Sequence, residues 1–425
     1  MGKPMGKPWG KNVTMPRRLF NRNDTTSQMR PVPRSAALAA GAAAVLVAGL
    51  AVAPPSGPAA VVGSTLAVTV RLTDRGCVVP RTVQSRSLRI HVVNRGRDAH
   101  TFTIAGHRSS PDPGKTAVLR VRFPRIGRYP YTCSRRTGPR LRGQLLVAAV
   151  PTAAKPCGVA PAPPVVYRHV VWIVMENKAW YDVMGSSAQA PNIKRVAGLC
   201  GVAAAFYGEA HPSLPNYIAM TSGGTQGVTD DGAPSSHQLT VDNVFRQVGD
   251  WRALQESMPT ACSSSDSGEY AVRHNPPLYY VRLHSTCPVR DVPLGAKPDL
   301  SAKFTFVTPD GCHDMHSSSC ASTIKDQVRV GDTWLGSFLN QVFATPQYRS
   351  GTTAVIVTWD ESSHGDPASQ EIPTLVIAPS IRPGTLATKR FDHYALLRTT
   401  EELLGLRTLL GAAATAPSMR AAFRF

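Results

Sequence analysis

Acidic side chains are scarce in the first third of this 425-residue chain. Residues 64–150 hold three Asp or Glu against seventeen Lys or Arg, and residues 1–35 hold one against eight. Residues 36–63 have no charged side chain, and the remaining 275 residues balance at 22 basic and 23 acidic groups. The net charge of +20 therefore belongs to a leader and one small segment. The larger part of the chain lacks the basic footprint of a nucleic-acid binder, and no such partner is expected. The missing charge over Ala36–Ala53, "AALAAGAAAVLVAGLAVA" after a basic leader, reads as a signal-type segment. It is also just long enough to stay as a membrane anchor, so the expectation is a secreted or cell-envelope protein.

Copper chemistry is a second absence. Over residues 64–150, runs such as "TLAVTVRL", "LRIHVVN", "HTFTIAG" and "TAVLRVRF" alternate apolar and polar residues between Gly, Pro and Asp turns, which predicts an all-β sandwich. The arrangement resembles a cupredoxin-like domain, with His100 and Cys133 in two of its copper-ligand positions. A blue-copper site also needs a histidine just after the cysteine and usually a methionine. The loop after Cys133 offers neither, so no copper is expected. The arginine-rich surface suits an anionic envelope polymer or lipid headgroups, or is simply a solvated charged face.

Eight cysteines in a chain read as exported imply four disulfides. Pairing within the small domain joins Cys77 to Cys133. Pairing of neighbours joins Cys157 to Cys200, Cys262 to Cys287 and Cys312 to Cys320, although six cysteines alone leave the connectivity open.

After a Pro/Ala linker at 151–164, the pattern from 165 to 425 changes to buried β runs alternating with helical segments. That predicts an α/β fold whose mainly parallel sheet is flanked by helices. The strands "VVYRHVVWIVMEN" and "TTAVIVTWDES" end abruptly in Glu176 and Asn177, and in Asp360 and Glu361. "IPTLVIAPS" is a third strand, followed by an amphipathic helix in "HYALLRTTEELLGL". Residues 225–300, rich in Ser, Pro and Gly, read as irregular insertions. Carboxyl ends of strands are where open α/β sheets place their sites.

Between the two acidic strand ends stands "EAHPSLPNY", with Ser213 between Pro212 and Pro215 and directly after His211. Ser213 reads either as the N-cap of a helix or as a preset hydroxyl beside a base. "PDGCHDMH" adds Asp310, Asp314 and His316; it reads as a disulfide-closed loop, a zinc knot with Cys312 and Cys320, or part of a site. Each cluster alone has a structural explanation, whereas strand-end acids together with a preset serine favour a metal-assisted site. A serine esterase triad is disfavoured because Ser213 sits in P-S-L-P and not in G-x-S-x-G.

These motifs, with "APNIKRVAGLCG", "YAVRHNPPLYY" and "GDTWLGSFL" in order between them, resemble the bacterial phosphoesterase family of acid phosphatases and phospholipases C, within the alkaline phosphatase superfamily. The resemblance departs at Ala179, where relatives often carry a small hydroxyl residue, and at Asp310, where many carry asparagine. It implies an alkaline-phosphatase-like fold and a phosphomonoesterase that forms a phosphoserine at Ser213, with a phospholipase C type diesterase as the alternative. It implies Glu176, Asp360 and Glu361 as ligands of a divalent cation (Ca, Mg, Mn or Zn), and Asn177 as a donor to a phosphate oxygen. His211 and His316 are candidates for phosphate contact or leaving-group protonation. Asp310, Asp314, His316 and His393 are candidates for a second cation, and Asn216, His274 and His364 for substrate contact. The expected partner is a phosphate ester, and a non-catalytic envelope-binding protein is the most distant reading.

Overall fold

The computed structural model describes residues 65–135, 140–363 and 371–425. The first nine strands are β1 (Leu66–Thr73), β2 (Gly76–Val78), β3 (Thr82–Val83), β4 (Ser87–Asn94), β5 (His100–Ile104), β6 (His107–Ser109), β7 (Thr116–Arg122), β8 (Gly127–Arg135) and β9 (Leu141–Val147). They form two sheets, ordered β2-β1-β4-β7 and β3-β9-β8-β5-β6. Period-two alternation aims Leu88, Ile90 and Val92 of β4 and Phe102 and Ile104 of β5 into one shared apolar core. Cys133 on β8 is joined to Cys77, so its sulfur is committed to a disulfide.

Nine further strands make one sheet: β10 (His169–Met175), β11 (Gly201–Tyr207), β12 (Trp251–Gln255), β13 (Asp291–Pro293), β14 (Phe304–Thr308), β15 (Thr353–Trp359), β16 (Glu371–Ile377), β17 (Thr385–Ala387) and β18 (Phe391–Asp392). The helices are α1 (Trp180–Met184), α2 (Pro191–Leu199), α3 (Ser213–Ser222), α4 (Val244–Val248), α5 (Cys287–Arg290), α6 (Ile324–Ala344), α7 (Pro346–Arg349), α8 (His393–Leu403) and α9 (Arg420–Phe423). The sheet order is β13-β12-β14-β10-β15-β16-β11-β17, with β18 also on β11. β13 to β15 run parallel, but β16 is antiparallel to both its neighbours, β15 and β11. The sheet is therefore mixed, where a mainly parallel one was expected. Strand direction has no signature in "IPTLVIAPS", since a doubly covered strand reads as a continuous apolar run either way.

β10 is buried from Val170 to Met175 and β15 along its whole length, and apart from His169, Thr353 and Thr358 their side chains are apolar, as a strand buried on both faces requires. Trp172 of β10 packs edge-on against Phe304 with centroids 4.9 Å apart, and its Nε1 donates to Thr400 Oγ1 at 2.9 Å, which locks α8 to the sheet. Leu396, Leu397 and Leu403 form the buried stripe of α8.

The middle of the chain holds more order than its Ser/Pro/Gly content predicts, since β12 and β13 extend the sheet edge. Both are short, which hides them from periodicity. At the start of β13, buried Asp291 accepts from Asn275 Nδ2 at 2.9 Å. Burial pushes this carboxyl up to about 7, against the lowering effect of the Asn275 bond. Its folded pKa thus lies above the ordinary value of about 4, so its stabilising contribution is complete below that pH and is lost as pH rises through about 7. Asp291→Asn should abolish this loss. Thermal melts at pH 5 and pH 8 are expected to show a gain of several degrees for the variant at pH 8 and little change at pH 5.

The expected export signal finds no support, and the structure speaks against the expected membrane anchor. Among the described residues no helix is long and apolar enough to cross a membrane. The stretch that carried the expectation, residues 36–53, lies outside them.

Candidate active site

β10, β11, β14 and β15 all point the same way, so their carboxyl ends deliver polar groups to one edge of the sheet. β10 delivers Glu176 and Asn177, β15 delivers Asp360 and Glu361, and the segment after β11 delivers Glu209 to Ser213. The turn after β14 brings Asp310, Asp314 and His316.

Ser213 is the first residue of α3, and Pro212 is the N-cap, with no side-chain capping bond. The expected capping role is therefore not played by Ser213. Asp231 supplies the missing acceptor, taking Leu214 N–H on Oδ1 at 2.9 Å. The freed Ser213 hydroxyl, itself buried, donates to Glu176 Oε2 at 3.0 Å and lies 3.3 Å from Glu361 Oε1. It also reaches the Asp360 carboxylate. Asn177 sits in the left-handed region at φ 43°, which asparagine tolerates. That backbone turns its N–H onto Asp360 Oδ1 at 3.1 Å and its Nδ2 onto Glu361 Oε1 at 2.7 Å.

Glu176, Asp314, Asp360 and Glu361 are all fully or nearly fully buried, and one buried lysine, Lys178, stands among them. Lys178 Nζ donates to Asn177 O at 3.0 Å and Met315 O at 2.6 Å, and its burial lowers its pKa. Burial, then the Glu176 and Glu361 charges, push Asp360 well above the usual carboxylate range. Burial and the Glu176 charge raise Glu361 to about 8. Burial would raise Glu176 too, but His274, His316 and Tyr217 outweigh it and hold that group at about 2. Tyr217 OH donates to Glu176 Oε1 at 2.6 Å, and its ring stacks on His274 at 5.3 Å. His274 Nε2 stands 3.2 Å from Glu176 Oε1 and its Nδ1 3.4 Å from Asp314 Oδ2; His316 Nδ1 stands 3.6 Å from Glu176 Oε2.

This donor set fits a divalent cation. Asp360 Oδ2 and Asn177 Oδ1 are buried oxygens with no hydrogen-bond partner, beside carboxylates whose charges repel one another. Hard oxygen ligands of this kind suit Ca²⁺, Mg²⁺ or Mn²⁺, and a nearby imidazole widens the choice to Zn²⁺. Glu176, His274 and His316 also bring three ligand atoms within 4.8 Å of one another.

The other candidate residues have partners of their own. His211 Nδ1 contacts Glu361 Oε2 and not the serine, so no serine–histidine pair of the esterase kind forms. Asn216 spends its amide on the loop: Oδ1 accepts from Glu209 N and Ala210 N, and Nδ2 donates to Ala210 O, so it braces the segment before Ser213. The second-cation set is not assembled. Asp310 joins Glu256 and His313, while His316 joins Glu176 and His274. His393 is buried with Nε2 3.0 Å from Trp359 O, and burial lowers its pKa to about 4. Cys312 and Cys320 form a disulfide, as do Cys157 and Cys200, and Cys262 and Cys287; the zinc knot is thereby excluded. His364 lies outside the described residues. Sequence reasoning missed Tyr217 and Lys178. Tyr217 was findable, since it follows Ser213 by four residues and shares its helix face.

A cavity of about 430 Å³ opens beside this cluster, with Arg273, His274 and His316 on one side and Asp266, Glu269 and Tyr270 also in its wall.

The Phosphoesterase family profile matches residues 186–407, which carry Ser213, Asp360 and Glu361. The chain belongs to the Phosphoesterase family. It is 30% identical over 274 residues to a phosphatidylinositol-3-phosphatase of Mycobacterium tuberculosis, across 61% of this chain and 83% of that one. It is 25% identical over 260 residues to an acid phosphatase of Aspergillus fumigatus, across 56% and 55% of the two chains. Among solved structures, a protein of the alkaline phosphatase superfamily from Vibrio parahaemolyticus aligns over 64% of this chain and 74% of its own, with 13% identity and a TM-score of 0.42. This phosphoesterase is thus a hydrolase of phosphoric-ester bonds, related to acid phosphatases, with candidate metal-binding clusters. The match begins at residue 186 and lends no support to the cupredoxin likeness expected for residues 64–150.

Proposed function

We propose that the protein is a phosphomonoesterase that works through a phosphoserine on Ser213. The observation that carries this reading is the buried Ser213 hydroxyl in bonding reach of Glu176 and Glu361. A cation held by Glu176, Asn177, Asp360 and Glu361 would stabilise the serine alkoxide and polarise the phosphoryl oxygens. Ser213 Oγ forms a bond to phosphorus as the ester P–O bond breaks, and the hydroxyl proton passes to one of the carboxylates within its reach, Glu176 or Glu361. His316 lines the cavity, and its pKa is raised, first by the neighbouring Glu176 carboxylate; it donates the proton that the leaving alkoxide needs. Water then attacks the phosphoserine, releasing inorganic phosphate and restoring the hydroxyl. His274 and Tyr217 keep Glu176 charged and in place.

The monoester reading is favoured over a phosphodiesterase because the M. tuberculosis relative is named for removing a phosphate monoester. The test compares phosphate release from p-nitrophenyl phosphate with cleavage of bis-p-nitrophenyl phosphate and phosphatidylcholine. Faster monoester turnover by at least about tenfold is expected. Diester or lipid cleavage with negligible monoester turnover would reverse the assignment.

A further inference from the structure

The outer face of the β2-β1-β4-β7 sheet is strongly basic. Leu88, Ile90 and Val92 of β4, Val70 and Leu72 of β1 and Val121 of β7 point into the core, so the alternate residues point out. Strand register sets them side by side: Arg89 lies directly opposite Arg120, Ser87 opposite Arg122, His91 opposite Val118, and Arg71 beside Val93. The outward positions of these strands hold four arginines and a histidine and no carboxylate. Arg71, Arg89, Arg120 and Arg122 are exposed, and none makes an ion pair or hydrogen bond among the described residues. Like charges directly opposite in a sheet destabilise it. The α/β part of the molecule shows the ordinary alternative, pairing Arg246 with Asp242 and Arg398 with Glu402. Two apolar side chains share the face: Val118 at 49% exposure, and Val78 at 62%, in register with Arg71.

We propose that this face docks the phosphoesterase onto an anionic lipid surface. Guanidinium forks match headgroup phosphates in pairs of hydrogen bonds. The exposed valines gain from the headgroup–acyl boundary, whereas a soluble polyanion offers them nothing. Charge complementarity and this mixed basic and apolar composition favour a lipid surface over a nucleic acid or acidic polysaccharide. The inference does not depend on the substrate assigned to Ser213.

The experiment is co-sedimentation of the full chain with vesicles of 70:30 phosphatidylcholine and phosphatidylglycerol, and of phosphatidylcholine alone, at about 0.1 M salt. Binding to the anionic vesicles only is expected. It should weaken roughly fivefold for each arginine removed, so that Arg71→Gln, Arg89→Gln, Arg120→Gln and Arg122→Gln combined lose on the order of a hundredfold or more. Turnover of p-nitrophenyl phosphate and the far-ultraviolet circular dichroism of the same variant should both be unchanged, which shows that the α/β part and the β sheets are folded. Wild-type-like vesicle binding by the quadruple variant would place the attraction elsewhere, in the basic leader for example, and overturn the proposal. Equal binding to neutral vesicles, or binding to heparin or single-stranded DNA that vesicles cannot compete away, would overturn it as well.

Discussion

Ser213→Ala is expected to lower phosphate-ester turnover by on the order of a thousandfold or more while leaving the fold intact. The size follows from the proposed role: removing a nucleophile would eliminate the covalent route and leave only the contribution of binding and positioned charge. Ser213 Oγ is a donor only to carboxylates, Glu176 at 3.0 Å and Glu361 at 3.3 Å, and makes no helix cap. The truncation therefore removes no capping bond from α3, whose first turn is held by Asp231 instead. Circular dichroism and the thermal midpoint should stay near wild type while turnover falls. Acid quenching of turnover with labelled substrate should leave protein-bound phosphate in the wild type and none in the variant. Label retained after the substitution would point to a different nucleophile, even if activity had fallen.

Asp360→Asn should separate activity from stability, with opposite signs. Asp360 is wholly buried, one of its oxygens has no partner, and the Glu176 and Glu361 charges press on it. With chelator present, that crowding is uncompensated. An amide of the same shape keeps the acceptor for the Asn177 N–H, 3.1 Å away in the wild type, and removes one charge from the cluster. The chelated variant is expected to be more stable than the chelated wild type by about 1–2 kcal/mol, a rise of a few degrees in the melting midpoint. Activity should move the other way, by about a hundredfold or more, if Asp360 is the cation ligand proposed above. Bound metal, measured by mass spectrometry after desalting, should fall with activity. A variant that keeps its full metal content would remove Asp360 from the ligand set. A chelated variant no more stable than chelated wild type would show that the buried charges are relieved in some other way.

The two substitutions together probe why a buried acidic cluster exists at all. Four buried carboxylates beside a single buried lysine would not be retained for stability, since well-packed apolar residues would serve better. Their cost is understandable if the same groups are satisfied when the protein works. Tyr217 and Asn177 show how the arrangement is maintained: each spends its polar group on one carboxylate, and the left-handed backbone at Asn177 is what lets both its amides face the strand ends. Glu176 then keeps its charge, while Asp360 and Glu361 are the groups pushed upward.

What the sequence determined by itself was the material of the site. Two apolar runs, long enough to be buried strands and each breaking off in acids, announce an α/β sheet with its chemistry at one edge, because burial on both faces leaves polar groups only at strand ends. The flanking prolines marked Ser213, and nearest-neighbour pairing of cysteines names the disulfides that the structure contains. Only the tertiary structure decided who meets whom. His211, one residue from Pro212, turned to Glu361, while His274, some sixty residues on, reached Glu176. Asp310 and Asp314, four residues apart, went to different partners. Side-chain direction, helix start and strand crossover set those meetings, and none of them leaves a mark on local composition. "EAHPSLPNY" held a serine ready, but three carboxylates from two distant strands made it a nucleophile candidate.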